Sequence, residues 1–136
     1  MAADIDLHNL DLTGDAEIQN DVFLIAFNSG DGRVFDSLYR EDAISNLSGK
    51  PLNGAERKQA IIDFLATGPS LKSSIKRSYT AGDTSLVVVD FDLEIPGENG
   101  ERIKLHGTCT DVLRLGEDGK WLMAIDRPVA DELPTA

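Results

Sequence analysis

Residues 71–127 read LKSSIKRSYTAGDTSLVVVDFDLEIPGENGERIKLHGTCTDVLRLGEDGKWLMAIDR, and this stretch decides the fold. Apolar and polar residues alternate with a period of two over 71–80, 85–95, 101–115 and 121–127, the spacing of strands that bury one face. The segments are separated by Ala81-Gly82-Asp83, Pro96-Gly97-Glu98-Asn99-Gly100 and Gly116-Glu117-Asp118-Gly119, residues suited to hairpin turns. A four-stranded antiparallel meander is predicted.

Upstream the period becomes helical. Thr13 and Asp15 are candidate N-caps for a helix to about Ser29, with Ile18, Val22, Phe23, Ile25, Ala26 and Phe27 as its apolar stripe. A shorter helix over 33–39 follows, with Asp31 as its cap, and then a brief strand over 43–47. The turn Gly49-Lys50-Pro51 leads to a third helix over 55–67, capped by Asn53 and stopped by Gly68-Pro69. Helices first and hairpins afterwards predict an α+β cone, with about three N-terminal helices packed on one face of a strongly curved antiparallel sheet. Sheet curvature leaves room for a cavity under the helices. Residues 13–128 form this domain, 1–12 a loose N-terminal arm and 129–136 a C-terminal tail.

The 136 residues fit one domain with one core. Acidic residues exceed basic ones, 24 to 13, and the net charge of −11 repels phosphate backbones and anionic lipid headgroups. Neither nucleic acid nor membrane is therefore an expected partner. The first residues lack the basic and apolar regions of a secretory signal, and no run reaches the roughly 20 apolar residues of a membrane span. With Cys109 the single cysteine, an intrachain disulfide is impossible, and a cytoplasmic location is expected.

Four segments in this order carry a resemblance: Phe27-Asn28-Ser29-Gly30-Asp31, Leu38-Tyr39-Arg40-Glu41-Asp42-Ala43, Gly49-Lys50-Pro51-Leu52-Asn53-Gly54 and Asp118-Gly119-Lys120-Trp121. Over residues 15–128 the chain resembles the nuclear transport factor 2-like superfamily in its SnoaL-like branch. The resemblance implies a cystatin-like fold, and homodimerisation, among relatives as different as isomerases, cyclases, dehydratases and plain binding modules. Against ketosteroid isomerase, a distant relative that uses an Asp base with a Tyr and a protonated Asp as hydrogen-bond donors, the tyrosine's place falls on Phe23 and the base's place on Leu47. Neither side chain does that work. Only the second donor's place, Asp111, matches, so isomerisation by that set of groups is rejected.

Asp111 shares its strand face with Ile103, Leu105, Gly107, Cys109, Leu113 and Leu115, so its carboxyl faces the core or a pocket. Burial there raises its pKa and leaves a neutral acid able to donate to a ligand carbonyl. The plainer readings are an Arg partner or a bulge that turns it outward. Asp126 closes the last strand, where alternation groups it with Leu122 and Ala124, opposite Trp121, Met123 and Ile125. It is the second catalytic candidate, with a strand-end turn as its plainer reading. Phe23, Tyr39, Leu47, Arg77, Tyr79, Phe91 and Cys109 complete the candidate ligand contacts. For Arg77 and Tyr79 the alternative is a solvated face or a dimer interface; for Tyr39, core packing; for Cys109, a small buried hydrophobe.

Asp90, Asp92 and Glu94 alternate with Val89, Phe91 and Leu93 and read as a solvated outer face. His106 falls opposite Asp111, and with His8 in the arm no zinc-binding set exists. No metal and no cofactor is expected. Val88, Val112 and Trp121 give the outer face some apolar character, in keeping with a homodimer. The leading expectation is a pocket for a small, largely apolar metabolite. The alternatives are a lyase, cyclase or isomerase using Asp111 or Asp126 as acid or base, and a non-catalytic dimerisation module.

Overall fold

The computed structural model describes residues 10–47 and 49–130. Three helices, α1 (Ala16–Asn28), α2 (Gly32–Asp36) and α3 (Gly54–Ala66), pack on a sheet of five strands. The strands are β1 (Tyr39–Ser45), β2 (Ser70–Ala81), β3 (Thr84–Pro96), β4 (Arg102–Leu115) and β5 (Trp121–Ala130), in the order β1-β5-β4-β3-β2. The meander β2 to β5 is antiparallel, as the alternation predicts. The sheet as a whole is mixed, because β1 lies parallel to β5. The expected all-antiparallel sheet is corrected at that edge.

Asp15 caps α1 by accepting from the N–H groups of Glu17 and Ile18, and Asp31 caps α2 by accepting from Arg33 and Val34. Asn53 stands at the N-cap of α3, but its side chain makes no capping bond. The second helix is shorter than expected, and Tyr39 opens β1 instead of closing a helix. Gly32 explains the tight α2–α3 crossing: an added Cβ would collide with the backbone of Ile62, whose nitrogen stands at 2.8 Å.

The core joins α1 and α3 to the sheet through Phe27, Ile61, Leu65, Leu113 and Met123, each at most 2% exposed. Phe35 meets Phe27, Phe23 and Tyr39 edge to face, with centroids 5.5 to 5.9 Å apart. Asn28 replaces a missing strand neighbour at the sheet edge: its amide donates to the Leu71 carbonyl and its oxygen accepts from the Leu71 N–H, at 2.9 and 2.8 Å. Helix α1 thereby covers the start of β2.

Leu12, expected in the arm, is buried in the core, and Trp121 packs against that core rather than on the outer face. Residues 1–9 and 131–136, most of the expected arm and tail and with them His8, lie outside the described residues. Among the described helices none is long and apolar enough to cross a membrane.

Candidate ligand-binding site

A cavity of about 430 Å³ lies between helices and sheet. The strand registers set out its floor in rows. From one end they run Leu93–Leu105, then Phe91–Gly107–Ala130, Val89–Cys109–Pro128, Val87–Asp111–Asp126–Ser45, and Leu113–Met123–Tyr39. Successive rows stand about 6.8 Å apart along the strands. Phe23, Phe27 and Phe35 close the cavity from the helical side. The surface is mainly hydrocarbon, and two carboxyl groups sit side by side in one row.

Three register shifts mark the sheet: one between Tyr39 and Ile44 sets Tyr39 opposite Met123 and Ser45 opposite Asp126, and two others decide which candidates face the cavity. Between Val112 and Leu113 the β4–β5 register slips, pairing Val112 with Ile125 and Leu113 with Met123, so Ala124 is the extra residue. Simple alternation puts Met123 and Asp126 on opposite faces; the slip puts both inside, at 2% and 3% exposure. The second bulge lies between Ile75 and Arg77, where Ile75 pairs with Val89 but Arg77 pairs with Val88. Beyond it β2 is inverted. Arg77 and Tyr79 therefore emerge on the outer face, Tyr79 at 61% exposure, and neither borders the cavity. Their candidacy as ligand contacts is withdrawn. Phe23, Tyr39, Leu47, Phe91, Cys109, Asp111 and Asp126 all border it.

The two carboxyls differ in their partners. Asp126 accepts from the Tyr39 hydroxyl, from Ser45 Oγ at 2.8 Å and from the Asn46 N–H at 2.8 Å. The Asn46 amide also donates to the Asp126 carbonyl at 2.7 Å. Burial raises the Asp126 pKa, with the three donors pulling against it. Among the described residues Asp111 accepts from a thiol alone, Cys109 Sγ at 3.1 Å. Burial first, and the neighbouring Asp126 charge second, push Asp111 up to about 7. It keeps some accessible surface although it lies deep under protein atoms, as a group bordering a cavity does. Of the two, Asp111 is therefore the carboxyl that holds a proton more readily near neutrality.

Tyr39 and Cys109 both stay protonated. Burial, then the Asp126 charge, raises the phenol; burial, then Asp111, raises the thiol. Neither acts as a nucleophile at neutral pH. Tyr39 is in turn held by Arg57, whose guanidinium lies 5.5 Å from the ring centre. Buried Arg57 pairs with Asp36 at 3.2 Å and donates to the carbonyls of Arg40, Glu41 and Ala43. It thus ties α3 to the strand that carries Tyr39 and Ser45.

Ser45 and Asn46 are site residues that the sequence reading missed, because a parallel pairing of two distant strands leaves no local pattern. On the outer face Asp90 pairs with Lys76 and Asp92 with His106, as expected of a solvated row. Among the described residues no three His, Cys, Asp or Glu side chains cluster as a metal site would require.

The domain defined by this cone and cavity is a recognised one. A family model described as the SnoaL-like domain matches residues 21–123, and the chain belongs to that family. Among solved structures, a ketosteroid isomerase-like protein from Erwinia carotovora atroseptica is 19% identical with a TM-score of 0.71, over 82% of this chain and 89% of that one. A protein with a cystatin-like fold from Caulobacter vibrioides is 20% identical at 0.69, over 85% and 84%. A dehydratase candidate of the NTF2-like family from Streptomyces avermitilis is 20% identical at 0.64, over 79% and 88%. These likenesses establish the fold alone. No curated protein matches the chain.

Proposed function

We propose that the cavity binds a small, largely apolar metabolite whose carbonyl oxygen, or an equivalent acceptor, takes a hydrogen bond from protonated Asp111. One observation carries this reading: a carboxyl whose partner among the described residues is a thiol alone stands beside the hydrogen-bonded Asp126 on the floor of a hydrocarbon-lined cavity. A neutral acid in such a place is a donor in search of an acceptor. Asp126, which accepts from three donors, is the better supported of the two as an anion, and this favours the proton on its neighbour.

A bicyclic ketone such as 2-tetralone probes the site. Asp111→Leu removes the donor while keeping the branched shape and heavy-atom count of the side chain, and is expected to weaken binding about tenfold, in line with about 1.5 kcal/mol for such a bond. Asp111→Asn keeps an N–H donor and should bind nearly as well as the parent. Equal affinity for 2-tetralone in the parent and in Asp111→Leu would end this reading.

A second reading, acid–base catalysis on a metabolite with an acidic C–H bond, is favoured by the Asp111 pKa of about 7. It is tested on the same probe by exchange of the ketone's α-protons in D2O. Exchange that the parent accelerates and Asp111→Asn does not supports catalysis; exchange at the buffer rate supports binding alone.

We also propose a homodimer through the outer sheet face. Tyr79, Leu86, Val112, Ile125 and Ile44 are register partners in turn, forming an apolar row across all five strands. Tyr79, Ile125 and Ile44 are each at least 39% exposed.

A further inference from the structure

Helix α1 carries Val22, Phe23, Ala26 and Phe27 on its inner stripe, and one turn before Phe23 the same stripe holds Gln19. Gln19 borders the cavity from the helical wall and is 2% exposed. Its Nε2 donates to the Thr13 carbonyl at 2.7 Å, which fixes which end of the amide is the oxygen. That oxygen, Oε1, is buried, and among the described residues it is the one buried side-chain nitrogen or oxygen without a hydrogen-bond partner. Asn20 beside it shows the ordinary solution: it exchanges two hydrogen bonds with Ser73. Folding leaves a buried amide oxygen unpaired only at a cost, so an unpaired acceptor on a side chain that borders the cavity points to a donor that arrives with another molecule as the amide turns toward it.

We propose that Gln19 is a specificity-determining residue of the cavity, its Oε1 accepting a hydrogen bond from a hydroxyl or N–H group of the bound molecule. This inference rests on the reading of Asp111 given above and narrows the ligand class. Asp111 offers a donor from the sheet and Gln19 an acceptor from the helix. The molecule that satisfies both has an apolar body with an acceptor oxygen at one position and a donor at another, as a hydroxylated ketone has. A plain ketone meets only the first demand.

The test compares 2-tetralone with its 5-, 6- and 7-hydroxy isomers by calorimetry, on the parent protein, Gln19→Met and Asp111→Leu. Methionine keeps the length of the side chain and removes the acceptor. In the parent at least one hydroxy isomer should bind about tenfold more tightly than 2-tetralone; Gln19→Met should abolish that preference and leave 2-tetralone within about twofold. Asp111→Leu should weaken all four. Retained binding of 2-tetralone shows that Gln19→Met is folded, and the preference of the parent is read without any variant. If no hydroxy isomer is preferred by the parent, or if the preference survives in Gln19→Met, the assignment of Gln19 is wrong while that of Asp111 stands. If no ketone binds the parent, the Asp111 reading fails and takes this one with it.

Discussion

Asp111 and Asp126 are register partners across β4 and β5 with both carboxyls on the cavity side, yet among the described residues three O–H and N–H donors serve Asp126 and a thiol alone serves Asp111. Like charges directly opposed on a sheet repel, and burial amplifies the repulsion. A proton kept by the pair relieves it, and the side served only weakly, by the thiol, is the one that favours holding it.

The stability of the fold should therefore fall as pH rises. Asp111 has a folded pKa of about 7 against an ordinary value of 3.8, so between these values the folded state binds more protons than the unfolded one. Unfolding free energy decreases across that window, by at most about 4 kcal/mol at about 1.4 kcal/mol per unit. The raised Asp126 adds a slope of the same sign. Urea unfolding at pH 5 and pH 8 should show the drop, and Asp111→Asn should flatten much of it and be more stable than the parent at pH 8. A stability that rises from pH 5 to pH 8 would contradict the assignment.

Tyr39→Phe keeps the ring against Phe35 and removes one donor from Asp126. The Asp126 pKa should rise further and that of Asp111 should drop, because the proton moves to the carboxyl that lost support. Stability should fall by about 1–3 kcal/mol. Carboxyl carbon shifts followed against pH report both changes; a variant in which neither carboxyl moves refutes the coupling.

Arg57→Met leaves Asp36 and three β1 carbonyls without their buried partner. A loss of about 3–5 kcal/mol in chemical denaturation is expected, and about half of it should return in Asp36→Leu/Arg57→Met, where no charge is stranded. An equal loss in the single and double variants would show that the ion pair is not the cause.

Ile125→Lys places a charge on β5, within the outer apolar row between Ile44 of β1 and Val112 of β4, at a position already 42% exposed. The fold should tolerate it. Sedimentation should find dimers of the parent at micromolar concentration and monomers of the variant, and a parent that stays monomeric at high concentration argues against the interface.

Much of this was legible in the sequence, and each exception has a physical origin. Alternation over 85–95 and 101–115 places Val87, Val89, Phe91, Cys109 and Asp111 on the inner face correctly, because β3 and β4 pair without a slip. The same rule fails at Arg77, Tyr79 and Met123, each lying beyond or beside a bulge, since one extra residue reverses every later side chain. It also hides Ser45 and Asn46, whose value comes from β1 lying alongside β5. Gln19 was passed over as one polar residue on a helix; its position one turn before Phe23, on the stripe of Val22 and Ala26, was the available signal.

The account depends above all on Asp111 being a neutral acid at the cavity wall. The direct measurement is the titration of its carboxyl carbon by NMR in selectively labelled protein, assigned through Asp111→Asn. A midpoint near 7 is the predicted result. A midpoint near 4, that of an ordinary solvated aspartate, would contradict it.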